Sequence, residues 1–142
     1  MSKLSDLCLA WKEGEWNQDF ENDFNSTLRK ETNVTTLVQT ATDYTPYSKV
    51  SIPICKRVLE LEPRNMAAII LLGWILWLDG EDDESKRILD VARSIDSAHI
   101  EVLLLDAALT SDRDKKIDLY RKVLEKEPTN TIAQGKLSEL LC

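Results

Sequence analysis

The sequence is poor in the residues that break or staple a chain. Its 142 residues include only four glycines, four prolines and three cysteines. With so little turn chemistry, the chain must consist of long regular elements joined by short connections. Cys8, Cys55 and Cys142 are odd in number and widely spaced, which argues against a disulfide framework and a paired-cysteine metal site. His99 is the one histidine, and a lone histidine at a helix start reads as a cap or surface residue. The glycines, at 14, 73, 80 and 135, are too scattered for a phosphate-cradling loop. The longest apolar run, Met66–Leu78, has 13 residues, whereas a membrane span needs about 20. No basic stretch followed by a hydrophobic core marks a signal peptide at the N-terminus, so a cytoplasmic location is expected. Asn25-Ser26-Thr27 and Asn33-Val34-Thr35 match the glycosylation pattern but then read as helix-cap chemistry.

Basic character is also scarce. Eighteen lysines and arginines against 25 acids give a net charge of −7. Residues 72–142 carry 10 basic and 15 acidic residues. No half has the electrostatic footprint of a nucleic-acid binder, and an anionic membrane is disfavoured for the same reason. A basic partner would be steered toward such a surface, although moderate negative charge also serves solubility.

Site chemistry is nearly absent. With Gly80 as the sixth position of a calcium loop, acids are needed at 75, 77 and 79, where the chain has Ile75, Trp77 and Asp79. Asp79, Glu81, Asp82, Asp83 and Glu84 are better explained by a helix N-terminus, whose first turn attracts carboxylates. Lys115, Lys116, Arg121 and Lys122 are interspersed with Asp112, Asp114, Asp118 and Glu125, the pattern of a solvated helix face. No catalytic set, cofactor or metal is expected.

What is present is a repeat. Leu59-Glu60-Leu61-Glu62-Pro63-Arg64-Asn65 returns as Leu124-Glu125-Lys126-Glu127-Pro128-Thr129-Asn130. Each phrase is a charged helix end, a proline that stops the helix, and an asparagine able to cap the next. Leu28–Asn33 and Ser94–His99 are weaker copies. The capping positions Asn33, Asn65, His99 and Asn130 are 32, 34 and 31 residues apart, the size of one helix–turn–helix unit. Met66–Leu78 and Glu81–Ile95 form the best unit, broken at Asp79-Gly80, with Ile88, Leu89, Ala92 and Ile95 at helical spacing. An earlier unit places Leu4, Leu7, Cys8 and Trp11 before a break at Gly14, then Trp16, Phe20, Phe24 and Leu28. The next runs from Val34 to about Tyr44, then to Glu62, with Pro53 either in a first turn capped by Ser51 or at a kink. Thr35–Thr45 is the weakest helix, because β-branched residues lower helix propensity. His99–Leu109, Asp114–Glu127 and a last helix, Thr131–Leu141, complete the chain.

The unit Met66–His99 resembles a tetratricopeptide repeat. Leu72-Gly73 matches that family's Leu-Gly pair, Gly80 its inter-helix glycine, Asp83-Glu84 its acidic pair and Ala92 its last small residue. Leu89 fills an aromatic slot. Ser85 replaces the usual alanine and Ser97 the terminal proline. The resemblance implies an all-α, right-handed superhelix of stacked helix–turn–helix repeats at about 1–32, 33–64, 65–98 and 99–129, with a capping helix at 130–142. It also implies a non-enzymatic module whose concave face holds a peptide or protein segment. Gly73 is expected where Met66–Leu78 approaches Glu81–Ile95 too closely for a side chain.

Within Met66–Leu78, the residues Ile69, Leu72, Gly73 and Leu76 share one face. Ala67, Ile70, Trp74, Trp77 and Leu78 point elsewhere, toward the groove side of such a stack. Tryptophan favours binding hot spots, although apolar helix stripes are more often core, with both indoles packed on the neighbouring repeat's first helix. Ala67, Ile70 and Trp74 stand where some family members carry basic and asparagine clamps for a peptide carboxylate, so an apolar ligand is expected. The alternative is a small acidic cytoplasmic antagonist or chaperone, such as a toxin immunity protein or a secretion chaperone.

Overall fold

The computed structural model describes residues 3–11 and 16–142. These form α-helices and no strand: α1 (Lys3–Trp11), α2 (Gln18–Lys30), α3 (Val34–Asp43), α4 (Ser48–Leu61), α5 (Met66–Leu78), α6 (Asp82–Asp96), α7 (Ile100–Leu109), α8 (Arg113–Lys126) and α9 (Thr131–Leu141). The break expected at Gly14 lies outside the described residues.

The repeated phrases end and begin helices as their chemistry requires. Asn33, Asn65 and Asn130 each accept a hydrogen bond at their side-chain oxygen, from Thr36 N at 3.0 Å, Ala68 N at 3.0 Å and Ala133 N at 2.9 Å. Asn17 does the same for Phe20 N at 2.8 Å. His99 takes the equivalent place at α7, where its Nδ1 accepts from Glu101 N at 3.1 Å. Each cap satisfies one of the N–H groups that a helix start leaves without a partner. Gly80, at φ 79°, closes α5. Glu81 N donates to Leu76 O at 2.9 Å and Gly80 N to Trp77 O at 3.1 Å, the paired bonds of a Schellman ending, which needs a left-handed residue at this point.

Two local expectations need adjustment. Pro53 is not in a first turn capped by Ser51: α4 begins at Ser48, and Val50 N and Ser51 N both donate to Tyr47 O, at 2.9 and 3.0 Å. The missing proline N–H would have bonded the carbonyl of Lys49, so the disruption is confined to the start of the helix. Ser51 is fully buried, and its hydroxyl has no partner among the described residues. The threonine-rich segment is helical in spite of its propensity, because Leu37, Thr40 and Ala41 bury one face of it in the core, and its hydroxyls turn back on their own helix. Thr40 Oγ1 donates to Thr36 O and Thr42 Oγ1 to Val38 O, both at 2.8 Å. Ser5 of α1 meets Thr40 Oγ1 at 3.0 Å and ties the first helix to the third.

Helices pair with their sequence neighbours, α1 with α2, α3 with α4, α5 with α6 and α7 with α8. The pairs then stack, α4 on α5, α6 on α7 and α8 on α9, while α3, α5 and α7 form a row. The result is an all-α superhelical array of helix hairpins with an apolar core running along it. Its first part joins Leu4, Phe24, Leu37, Val50, Ile54, Leu72 and Ile75. At that end Trp11 meets Trp16, Phe20 and Tyr47 with ring centroids 5.5, 5.8 and 5.4 Å apart. Two further clusters centre on Ile69, Leu89, Val102 and Leu105, and on Leu104, Tyr120, Val123 and Ala133.

Gly73 lies at the crossing of three helices, and the tightest approach comes from an unexpected one. A Cβ placed there would stand 2.6 Å from Leu105 Cδ2 of α7 but 3.6 Å from Ile88 Cγ2 of α6. The space is denied by the next hairpin, while the partner helix within the hairpin is at ordinary contact distance. Ser85, in place of the family's alanine, binds α6 to the same point: its fully buried hydroxyl donates to Gly73 O at 2.8 Å. Gly73→Leu is therefore expected to lower stability by about 1–3 kcal/mol in thermal or urea unfolding. The added loss should shrink in a Leu105→Ala chain, where the obstructing branch is gone. Independent, additive effects would place the contact elsewhere.

The thiols give a second check. Burial pushes the Cys8 thiol from 9.0 up to about 11 and that of Cys55 to about 12, while Cys142 is exposed. An aromatic disulfide reagent at pH 8 should titrate one thiol in the native protein and three after unfolding, since the thiolate is the reacting form. The unfolded chain releases both buried protons near pH 9 and the folded chain holds them. Stability should therefore be intact below pH 9 and decline as pH rises toward 11 and 12.

Candidate functional site

Four helices, α5, α7, α8 and α9, line a cleft of about 570 Å³. Trp74 and Trp77 of α5 form one wall, and Ile132, Lys136, Glu139 and Leu140 of α9 face them. Glu101, Leu104 and Ala108 of α7 lie between, with Lys116 and Tyr120 reaching in from α8. The volume falls in the range that accommodates small ligands or a few anchoring side chains.

The two indoles meet edge to face, with centroids 5.5 Å apart and planes at 81°. This contact follows from their spacing, because residues three apart neighbour each other on a helix. Their environments differ. Trp74 is half-buried and packs against both C-terminal core clusters, whereas Trp77 is 37% exposed. Tyr120 is buried, and burial together with the nearby Glu139 charge raises its phenol above the ordinary 10.0. Lys136 Nζ stands 3.9 Å from Glu139 Oε2 on the same helix. Arg113 of α8 donates to Leu140 O, which fixes the end of α9 against the start of α8.

The floor helix α7 is anchored from behind. Asp106, buried on the side of α7 away from Leu104, pairs with Arg93 of α6 at 2.6 Å and Lys115 of α8 at 3.4 Å. Burial lowers the Arg93 pKa, but the hydrogen bond and charge of Asp106 outweigh it and leave it raised. One carboxylate thereby sets the positions of three helices. The Arg93 side chain is 36% exposed, so solvent screening holds this pair to about 1 kcal/mol or less.

The five residues singled out in α5 separate. Trp74 and Trp77 line the cleft. Ile70 is buried with Ile69, Leu89, Val102 and Leu105. Ala67 and Leu78 are exposed outside the lining. The residues that sequence reasoning missed belong to the following helices, and a signal for them exists. Counted from the capping residues Asn65, His99 and Asn130, Ala67 corresponds to Glu101 and Ile132, Ile70 to Leu104, and Trp74 to Ala108 and Glu139. The register read in α5 is used again one and two repeats later. Among the described residues no His, Cys, Asp or Glu group is arranged to hold a metal ion, and no helix is long and apolar enough to cross a membrane.

Stacked, capped helix hairpins around a grooved face define a tetratricopeptide-repeat fold. The first tetratricopeptide domain of human RPAP3, solved by NMR, superimposes with a TM-score of 0.68 over 75% of this chain and 88% of that one, at 14% sequence identity. No protein-family model matches the sequence.

The unequal burial of the two indoles predicts unequal costs. Trp74→Ala should remove about 3 kcal/mol or more in urea unfolding, while Trp77→Ala should remove about 1 kcal/mol or less and leave the helical circular dichroism signal intact. Equal losses would contradict the asymmetric packing.

Proposed function

We propose that the protein is a non-enzymatic interaction module that holds an apolar segment of another protein in the cleft between α5 and α9. The observation that supports this reading most is the partly exposed Trp77, seated against Trp74 and opposite Ile132 and Leu140. Tryptophan is enriched at interfaces and carries a large share of the binding energy where a partner covers it. The repeat units at about 1–32, 33–64, 65–98 and 99–129, closed by 130–142, belong to the same proposal, as do Ala67 and Leu78, exposed on α5, with Ile70 buried in the core beneath that helix. The net charge of −7 favours one narrower version, a small acidic antagonist or chaperone that associates with a single basic partner in a salt-sensitive way.

Photo-crosslinking in cells tests this reading. A benzophenone side chain at position 77 should label a discrete partner, and the same group at Val91, exposed on α6, should not. The labelled partner should co-purify with the wild-type chain and be lost from Trp77→Ala, with a drop in affinity of about 2 kcal/mol. A partner retained equally by Trp77→Ala would assign binding to another surface.

A further inference from the structure

The cleft has chemically distinct edges, and they specify what fits it. Trp77 and Leu78 run directly into the α5–α6 turn, where Asp79, Glu81, Asp82 and Asp83 are all exposed. None of these four forms an ion pair among the described residues, whereas Glu84 is already paired with Arg87 at 2.7 Å. The α9 side carries no comparable charge, because Lys136 is offset by Glu139 at 3.9 Å. Within the lining two acids, Glu101 and Glu139, balance two lysines, Lys116 and Lys136, so the uncompensated charge beside the cleft is that of the four carboxylates in the turn that follows Trp77.

Building on the cleft as the binding site, we propose that its occupant is a basic amphipathic helix of another protein. Its apolar stripe lies on Trp74, Trp77 and Leu104, and its lysines or arginines lie along the α5–α6 turn. Helical form follows from the walls, where the indole, aliphatic and phenol surface of Trp74, Trp77, Leu104, Tyr120, Ile132 and Leu140 outweighs the charged tips of Glu101, Lys116, Lys136 and Glu139 and forms no backbone edge for an extended strand to pair with. An extended segment would bury unsatisfied N–H and C=O groups there, and a helix satisfies its own. Basic character follows from charge complementarity at the turn and from the overall charge of −7, which attracts a cationic segment and repels a second copy of the chain.

Calorimetry with defined peptides tests the proposal at low salt. The probes are a leucine–lysine amphipathic helix of about five turns, or roughly 18 residues, its leucine–glutamate counterpart, and a scrambled leucine–lysine peptide of the same composition. The amphipathic leucine–lysine peptide should bind at least about tenfold more tightly than either control. Trp77→Ala should weaken it about tenfold or more. Asp82→Lys with Asp83→Lys should weaken it similarly while sparing the leucine–glutamate peptide, with circular dichroism confirming that each variant is folded. Equal, Trp77-dependent binding of both amphipathic peptides would overturn the basic partner and leave the cleft reading standing. Binding indifferent to Trp77→Ala, or matched by the scrambled peptide, would remove the cleft itself as the site. Failure of both amphipathic peptides to bind would overturn the proposal, as would a dimer in sedimentation that Trp77→Ala dissolves.

Discussion

The absence of a side chain at Gly73, where a Cβ would stand 2.6 Å from Leu105 Cδ2, is the constraint on which the packing of α7 against α5 depends. A helix apolar on every side, as α5 is, has to be covered on every side or left partly open for a ligand. Without a side chain at Gly73, α7 comes close enough to cover one flank, and Ser85 holds α6 on another through the Gly73 carbonyl. Helix α4 covers a third. The remaining flank carries Trp74 and Trp77, and the cleft opens along it.

That cleft is a product of register more than of any single residue. Helices α3, α5, α7 and α9 each start at a capping side chain, so equivalent positions point the same way along the stack. Residues placed two, five and nine positions after the caps return to one surface in α7, and two and nine in α9. The chemistry at those positions changes from helix to helix, from Trp74 in α5 to Ala108 in α7 and Glu139 in α9. A wall of aromatic surface therefore faces one of mixed charge across a floor made of Glu101, Leu104 and Ala108, and this asymmetry gives the cleft its direction. Asp106 contributes from behind, since it ties α7 to both neighbours without occupying the ligand side.

The helices, their caps and their pairing were legible because each rests on local chemistry: asparagine after a charged helix end, glycine at an inter-helix turn, apolar residues at helical spacing. Two local details were hidden. The Thr35–Thr45 segment looks unfavourable by propensity, yet Leu37, Thr40 and Ala41 bury one face of it in the core, a tertiary gain that local propensity does not carry. Pro53 suggests a helix start, yet α4 begins five residues earlier because Tyr47 O can receive the first bonds. The cleft was legible only by half. Trp74 and Trp77 stand out as unusual residues, whereas Glu101, Leu104 and Ala108 are ordinary in isolation. Their meaning comes from which hairpin they face, and Ile70 is lost to the core for the same reason.

The recurrent asparagine caps have a consequence for how the chain reaches this structure. Helices α2, α3, α5 and α9 each carry the signal for their own first turn within three residues, so nucleation at these starts requires no distant segment. Contacts join mainly hairpins adjacent in sequence, so an ordered hairpin presents a template for the next one and the cost of closing long loops is avoided. Such a chain can begin ordering at several places and grow outward, and it should lose order from its ends inward. In that scheme Gly73 and Leu105 mark the joint between two growing segments, and the cleft exists only after they have met.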